Sequence, residues 1–291
     1  MLEELDYEST YTQVLESAAH SDGDRQAFKA ALGRAYQQLH DIICPQDTEH
    51  TTACSNACQF LLTRFAGKEH RERGFIFTLN QDLFVEKYYA VGDPLLTIPG
   101  LTAPNWFNGQ VSSRLTRDSR AQLPDAATVE KVRQRFWTKD SLRFVYVKLH
   151  GSFGWQTNHG SDVLVVGHSK SKTIQREPLL EWYFSLFEEV LHQSEVRLVV
   201  IGYGFGDAHI NEVIADSIRD YGLRLYVVSP EEPARRRTHL VPAAGRGTTA
   251  MRGAEIWKGL AGYFCASATD LHGRGTKAPE GKALFVSLGL E

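Results

Sequence analysis

Five short runs of consecutive apolar residues constrain the fold of this chain more than any other feature of its sequence. The runs occupy residues 75–79, 144–149, 163–166, 196–201 and 223–228. Continuous runs, unlike alternating apolar and polar residues, are typical of strands covered on both faces, as in parallel sheets. The runs therefore predict five buried strands.

Helical patterns separate several of these runs. Residues 177–193 and 208–221 carry apolar side chains three or four positions apart, the spacing of one helix face. Alternation of strand and helix builds parallel sheets with helices on both faces. The sequence therefore predicts an α/β fold with a doubly wound, mostly parallel, Rossmann-like sheet.

The same patterns divide the chain into three regions. These are a helical N-terminal region (1–70), an α/β core with an insertion around 91–140 (71–235), and a C-terminal loop with a closing helix (236–291). In the first region, apolar spacing predicts one helix over residues 24–43 and a second over 54–65. Asp22 or Asp24 is the predicted N-cap of the former.

Two further segments are predicted from their composition. Residues 92–124 are rich in Pro, Gly, Asn and Ser and are predicted to form a long loop or insertion. Residues 242–253 carry several Gly and Pro residues and predict another loop, followed by the closing helix over 254–263.

The composition excludes several classes of protein. Hydrophobic residues make up 42% and charged residues 23%, which excludes a disordered chain. Lys and Arg number 32 against 35 Asp and Glu, and this net charge of −3 argues against direct nucleic-acid binding. The apolar runs are too short to span a membrane, the N-terminus lacks a signal-peptide pattern, and four cysteines are too few for a disulfide scaffold. A cytoplasmic location is predicted.

Polar or glycine residues follow four of the predicted strands, where ligands bind in doubly wound sheets. They are Asn80, Gln81 and Asp82 after the first run, His150 and Gly151 after the second, the segment 202–207 after the fourth, and Ser229 and Pro230 after the fifth. Each group alone is also explained structurally, because a histidine can be a hydrogen-bonding core residue and Asn or Asp can form turns. Their shared placement favours a ligand site.

The segment 202–207 reads Gly-Tyr-Gly-Phe-Gly-Asp. Glycines let the backbone approach a ligand closely, and the following helix directs free N–H groups at an anion. Asp207 is a good N-cap residue for that helix. In the alternative interpretation, the glycines only turn the chain and Asp207 only caps the helix.

Three motifs together resemble those of bacterial sirtuin-like (silent-information-regulator-type) domains. These domains are relatives of the NAD-dependent protein deacylases and are found in many anti-phage defence systems. They are Thr78-Leu79-Asn80-Gln81-Asp82, Lys148-Leu149-His150-Gly151-Ser152 and Ile201-Gly202-Tyr203-Gly204-Phe205-Gly206-Asp207-Ala208-His209-Ile210-Asn211. The resemblance extends roughly over residues 70–265.

The resemblance implies that NAD is the substrate. Asn80 and His150 would flank the nicotinamide ribose, where Asn80 orients a water or a ribose hydroxyl and His150 acts as general base. The residues implied in NAD binding are Asp82, Gly202, Tyr203, Gly204, Asp207 and Ser229. Asn80, His150 and Gly204 are accordingly expected to line one pocket.

The chain departs from the deacylating relatives in its cysteines. Those enzymes carry a zinc module of two Cys-x-x-Cys pairs, whereas here only Cys54 and Cys58 are close, and Cys44 and Cys265 are scattered. We therefore expect no metal and a hydrolase that transfers ADP-ribose to water.

A second departure concerns the start of the domain. The family begins with a strand and a Gly-Ala-Gly phosphate-binding turn, and no such pattern precedes Asn80. We expect an N-terminally incomplete domain that binds NAD weakly and turns it over slowly or not at all.

Two other functions stay open at this stage. One is a catalytically impaired or inactive module that binds NAD or ADP-ribose or acts as a scaffold, and the other is an unrelated nucleotide-binding α/β protein. The expected partners are NAD and either a partner protein of a defence system or a second copy of the chain, with no membrane.

Overall fold

The structure is a computed structural model that describes most of the chain. The described residues are 7–43, 60–62, 64–65, 74–86, 96–101, 120–138, 144–157, 159–160, 162–167, 170–241, 248–272 and 279–290. The chain divides into two units, a first unit of Met1–Thr52 and Lys68–Phe184 and a second unit of Ala53–Gly67 and Ser185–Glu291.

The first unit begins with two helices, α1 (Tyr7–Glu16) and α2 (Asp22–Ile43). The start of α2 is a capping box: the Asp24 N–H donates to the Ser21 hydroxyl (3.2 Å), and the Ser21 N–H donates to the Asp24 carboxylate (3.0 Å). The cap residue is therefore Ser21, and Asp24, one of the two predicted caps, completes the box from inside the helix.

Two three-stranded sheets follow in the first unit. Their strands are β1 (Phe75–Thr78), β2 (Leu96–Thr97), β3 (Ala121–Gln122), β4 (Phe144–Lys148), β5 (Gly151–Gln156) and β6 (Asp162–Leu164). The first sheet has the order β1-β4-β2 with parallel pairing, and the second has the order β3-β5-β6. In the second sheet β3 and β5 are parallel, and β5 and β6 are antiparallel.

The helices α3 (Ala126–Phe136), α4 (Lys170–Arg176) and α5 (Pro178–Leu191) accompany these sheets. The Asp125 side chain caps α3 by accepting from the Thr128 N–H. Trp182 meets Phe136 edge to face at 5.7 Å between ring centroids, and the Tyr183 hydroxyl donates to the Pro99 carbonyl. Aromatic packing thus joins α3 to α5 in the core of this unit.

The second unit contains one parallel sheet of order β7-β8-β9. Its elements are β7 (Arg197–Ile201), α6 (Ala208–Tyr221), β8 (Arg224–Ser229), α7 (Pro233–Leu240), α8 (Thr248–Lys258), β9 (Leu260–Cys265), α9 (Ala268–His272) and α10 (Pro279–Leu288). Its core includes Tyr226, Val228, Ala266, Leu271, Leu284 and Leu288.

The predicted fold class is confirmed. The described strand pairs are parallel except for β5 and β6, and helices alternate with the strands. All five predicted strands are present, and β4 is buried along its whole length, as a continuous apolar run requires. The helix expected over 54–65 is helical at its described residues, 60–62 and 64–65.

Three predicted segments need correction. The loop predicted over 242–253 contains the start of α8, which begins at Thr248. The helix predicted over 254–263 ends at Lys258, and β9 begins at Leu260 because pairing with β8 satisfies its backbone. Between them, Gly259 lies so close to Ile218 that a Cβ at position 259 would be 2.5 Å from the Ile218 side chain. The loop predicted over 92–124 contains β2 and β3, which are too short to produce a sequence pattern.

None of the helices in the described part of the chain combines the length and the apolar character needed to cross a membrane.

Candidate functional site

The first part of the site lies at the carboxyl ends of β1 and β4. These strands are parallel neighbours, and Thr78 of β1 is in register with Lys148 of β4. Asn80 and His150 each follow two residues later, so they occupy equivalent positions on adjacent loops at the same edge of the sheet. This is the edge where parallel sheets bind ligands.

The two loops, residues 79–82 and 149–152, are hydrogen bonded together, and we call them the loop pair. The Gln81 amide nitrogen donates to the His150 carbonyl at 2.9 Å, and the Phe153 N–H donates to the Gln81 carbonyl at 2.7 Å. Asn80 is exposed, whereas His150 is buried. The loop pair therefore carries a solvent-exposed amide side chain, Asn80, and a buried histidine, His150.

Gly151 is required by the path of the backbone at this point. Its φ is +73°, and a Cβ here would lie 2.3 Å from the Val163 carbonyl oxygen of β6. The Val165 N–H donates to the His150 carbonyl at 3.0 Å. Only glycine lets β6 approach the loop closely enough to hold the His150 backbone in this way.

A buried ion pair supports the loop pair from below. The Lys148 ammonium donates to a Glu86 carboxylate oxygen at 2.7 Å and to the Ser152 hydroxyl at 2.8 Å, and it also bonds the Asp82 carbonyl. Lys148 and Glu86 are 1% and 0% exposed. Burial raises the pKa of Glu86 above its usual value, and the Lys148 charge offsets only part of this effect.

Asp82 uses its carboxylate within its own loop. Its Oδ1 accepts from the Phe84 N–H at 2.9 Å, and its carbonyl accepts from Lys148. These bonds hold the loop in place. The role of Asp82 in NAD binding stays a prediction.

The second unit carries the glycine turn, residues 202–207, after β7. Gly202 has a φ of +70°, and its N–H donates to the Val228 carbonyl at 3.3 Å. Phe205 also has a positive φ, +59°, and the Asn211 amide nitrogen donates to its carbonyl at 2.7 Å. This side-chain bond holds a conformation that is unfavourable for a non-glycine residue.

Tyr203 and Asp207 complete the turn. The Asp207 N–H donates to the Tyr203 hydroxyl oxygen at 3.1 Å, and that oxygen lies 3.0 Å from Asn211 Oδ1. Burial, reinforced by the Asp207 charge, raises the pKa of the Tyr203 hydroxyl. Asp207 occupies the N-cap position of α6, but its side chain makes no capping hydrogen bond, so the capping predicted from its residue type does not occur.

Gly204 and Gly206 have no structural need for glycine among the described residues. Neither has a positive φ, and a Cβ at either position would meet no described atom within 4 Å. The backbone of the turn is therefore accessible at these two positions. The role of Gly204 in NAD binding stays a prediction.

Ser229 ends β8, beside the glycine turn. β7 and β8 are parallel, and Ile201 is in register with Val228. Gly202 and Ser229, the next residue on each chain segment, therefore lie side by side at the carboxyl edge of the sheet. The buried Ser229 hydroxyl accepts from the Glu231 N–H at 3.2 Å and lies 3.4 Å from an Arg236 nitrogen. Its role in NAD binding stays a prediction.

The sequence profile of the SIR2-like domain matches residues 74–245, more than half of the 291 residues. The chain belongs to the SIR2-like domain family. The profile match confirms the predicted sirtuin-like family. A search of curated proteins finds no significant match to the sequence. The SIR2-like region contains the loop pair, the glycine turn and Ser229, whereas α1 and α2 precede it.

Lys148 and Arg236 are among the side chains that support the site of this SIR2-like domain and that sequence reasoning missed. Lys148 could have been found as the one cation inside the apolar run 144–149. Arg236 lies in an Arg-Arg-Arg stretch that gives no such signal. Its guanidinium donates to the Gly204 carbonyl at 3.1 Å and pairs with Glu231 at 2.7 Å, so it links the glycine turn to the end of β8.

Of the four cysteines of the SIR2-like protein, three (Cys44, Cys54 and Cys58) lie outside the described residues. Cys265 ends β9, is exposed and has its sulfur 3.7 Å from a Glu232 carboxylate oxygen. The absence of a structural zinc stays a prediction, and so does the pocket shared by Asn80, His150 and Gly204.

Proposed function

We propose that this SIR2-like domain cleaves NAD to nicotinamide and ADP-ribose. One observation carries the proposal: the register of β1 and β4 gives Asn80 and His150 equivalent positions on two loops that buried hydrogen bonds hold together. An amide and an imidazole at one sheet edge are the groups needed to orient a water and to accept its proton.

The proposed reaction is a hydrolysis. The N-glycosidic bond breaks and its electron pair leaves with the nicotinamide nitrogen, while water forms a C–O bond to the ribose carbon and one proton is released. Asn80 orients the water or a ribose hydroxyl. His150, as neutral imidazole, accepts the released proton.

The second unit supplies binding rather than proton transfer in this proposal. Gly202 and Gly204 lie against the phosphates or a ribose, Tyr203 and Asp207 complete the turn that binds NAD, and Ser229 lies near the adenosine ribose. The support is the open surroundings of Gly204 and the start of α6 immediately after the turn. A dinucleotide is the ligand class that needs both an anion-binding turn and a ribose-binding strand end.

The test is product formation by the purified protein at a high NAD concentration, with nicotinamide and ADP-ribose separated and quantified by chromatography. We expect equal amounts of the two products, and a loss of about 10²–10⁴-fold in His150→Ala with the melting transition retained. The control is His159→Ala, which changes an exposed histidine in the turn between β5 and β6. Nicotinamide release that does not depend on His150 contradicts the proposal.

Calorimetry with NAD and ADP-ribose distinguishes the alternative module. Binding without nicotinamide release would favour a sensor or scaffold and contradict the enzyme. Release of nicotinamide without free ADP-ribose would indicate transfer to an acceptor other than water.

We extend the proposal to anti-phage defence, which the resemblance of the three motifs supports. Phage plating on cells that carry this gene with its neighbouring genes tests it. We expect fewer plaques with the wild-type chain than with His150→Ala, and equal plaque numbers would contradict a defence role that depends on catalysis.

A further inference from the structure

Gln81 connects three separate segments of the first unit. Its amide nitrogen donates to the His150 carbonyl at 2.9 Å and to the Val165 carbonyl at 3.1 Å, and its amide oxygen accepts from the Tyr36 hydroxyl. Gln81 is 8% exposed. A buried amide with both of its polar atoms bonded has a fixed orientation, because any other rotamer would leave those atoms unpaired.

Tyr36 brings α2 into this network. Its ring stacks on Phe153 of β5, with 6.1 Å between centroids and 14° between planes, and its hydroxyl reaches Gln81. Phe153 in turn donates its N–H to the Gln81 carbonyl. α2 lies before residue 74, so the side chain that completes this network comes from outside the SIR2-like region.

The network reaches both residues of the proposed chemistry through the backbone. Gln81 follows Asn80 directly, and its amide holds the carbonyl of His150. A shift of Gln81 therefore moves Asn80 relative to His150. Misplacement of reacting groups by about 1 Å can lower a rate by about 10²-fold.

We propose that Gln81 and Tyr36 are positioning residues, through which α2 sets the placement of Asn80 beside His150. Only the expected fall in kcat rests on the proposed NAD cleavage; the ordering of the loop pair by α2 does not. Neither side chain is assigned a contact with substrate. Their effect is on the geometry of the loop pair, and α2 thereby becomes part of the working domain.

The kinetic test uses a double-mutant cycle of Tyr36→Phe and Gln81→Met. Tyr36→Phe removes the hydroxyl and keeps the ring on Phe153, and we expect kcat for nicotinamide release to fall about tenfold with KM within about twofold. Gln81→Met should lower kcat by about 10²-fold. The double variant should match Gln81→Met alone, because the hydroxyl is proposed to act through Gln81.

The matched control is Tyr11→Phe, which makes the same change on α1. The Tyr11 ring packs edge to face on Phe28 at 6.1 Å between centroids. Its kcat should stay within about twofold of wild type. An unchanged kcat in Tyr36→Phe, or losses that simply multiply in the double variant, would overturn the proposal.

Amide hydrogen exchange without nucleotide separates this inference from the proposed function. We expect Tyr36→Phe to speed exchange in residues 80–82 and 150–153, and to leave residues 203–206 unchanged. Unchanged exchange in the loop pair overturns the positioning role. If the wild-type chain releases no nicotinamide, the proposed function fails, and the exchange measurement still decides whether α2 orders the loop pair.

Discussion

The loop pair and the glycine turn are built in opposite ways. Several buried bonds of the loop pair join residues far apart in sequence: Gln81 and His150 are 69 positions apart, and Glu86 and Lys148 are 62 positions apart. Most bonds of the glycine turn stay within eight positions, as between Tyr203 and Asn211. The exceptions join Gly202 to Val228 and Gly204 to Arg236. The first region is mostly buried, and the second is partly exposed.

This difference suits the loop pair to holding side chains in a fixed arrangement and the glycine turn to leaving its backbone accessible. Long-range buried bonds form only when the whole unit is folded, so the loop pair holds its residues as rigidly as the core itself. A local turn forms largely on its own and can leave its backbone open. We therefore expect changes in the loop pair to cost stability and rate, and changes in the turn to cost affinity.

The largest expected effect on stability comes from Lys148→Met. It leaves the Glu86 carboxylate buried without its partner, which should lower the free energy of unfolding by about 3–5 kcal/mol at neutral pH. Chemical denaturation measures it. The control is the double variant Lys148→Met with Glu86→Leu, which should recover most of the loss because no buried charge remains; an equally unstable double variant would contradict this origin.

The pH dependence of the Lys148→Met deficit sharpens the same point. Burial raises the pKa of Glu86 in the folded chain above its usual 4.5, so the folded state binds this proton more tightly than the unfolded state. Such a group favours folding at low pH and loses that contribution as pH rises through the folded pKa. Without Lys148 the pKa of Glu86 rises further. The stability lost in Lys148→Met should therefore become smaller as the pH falls from about 7.5 to about 5. A deficit that grows toward acid pH would contradict the assignment.

Gly151→Ala should have the next largest effect. Its Cβ would lie 2.3 Å from the Val163 carbonyl oxygen at a φ of +73°, so strain and overlap should cost about 3 kcal/mol. Thermal denaturation measures the loss. A melting temperature equal to that of wild type would show that β6 does not approach the loop as described.

Asn211→Ala tests the glycine turn. It removes the bond that holds Phe205 at positive φ, and should cost about 1–2 kcal/mol and weaken NAD binding. Glu212→Ala, next on the same helix, removes only a partly exposed pair with Arg252 and should cost about 0.5 kcal/mol or less. Equal losses in the two variants would mean that Asn211 has no special part in the turn.

Gly204→Ala should have the smallest effect on stability. A Cβ at Gly204 meets no described atom within 4 Å, so the free energy of unfolding should change by about 0.5 kcal/mol or less. Titration calorimetry should nevertheless show weaker NAD binding. A loss of stability as large as that of Gly151→Ala would remove the contrast between the two glycines.

The sequence predicts the parts of this structure that depend on local pattern. Continuous apolar runs located β1, β4, β7 and β8, and placing polar residues after them located Asn80 and His150 at one edge. Parallel pairing alone brings such strand ends together, so no contact had to be known in advance.

What the sequence did not predict depends on pairing across long distances. The first four residues of β9 fall within the helix predicted over 254–263, and only pairing with β8 fixes them as a strand. The bonds of Gln81 to Tyr36 and of Lys148 to Glu86 likewise require the folded unit. Asp207 shows the converse, since a favourable residue type at a cap position makes no side-chain capping hydrogen bond in the folded chain.

The division of work between the two regions is tested most directly by the steady-state kinetics of nicotinamide release in Asn80→Ala and Gly204→Ala. We predict that Asn80→Ala lowers kcat by about 10²-fold with KM within about twofold, and that Gly204→Ala raises KM about tenfold with kcat within about twofold. A fall in kcat for Gly204→Ala as large as that for Asn80→Ala, or an Asn80→Ala protein with wild-type kcat, would contradict the account.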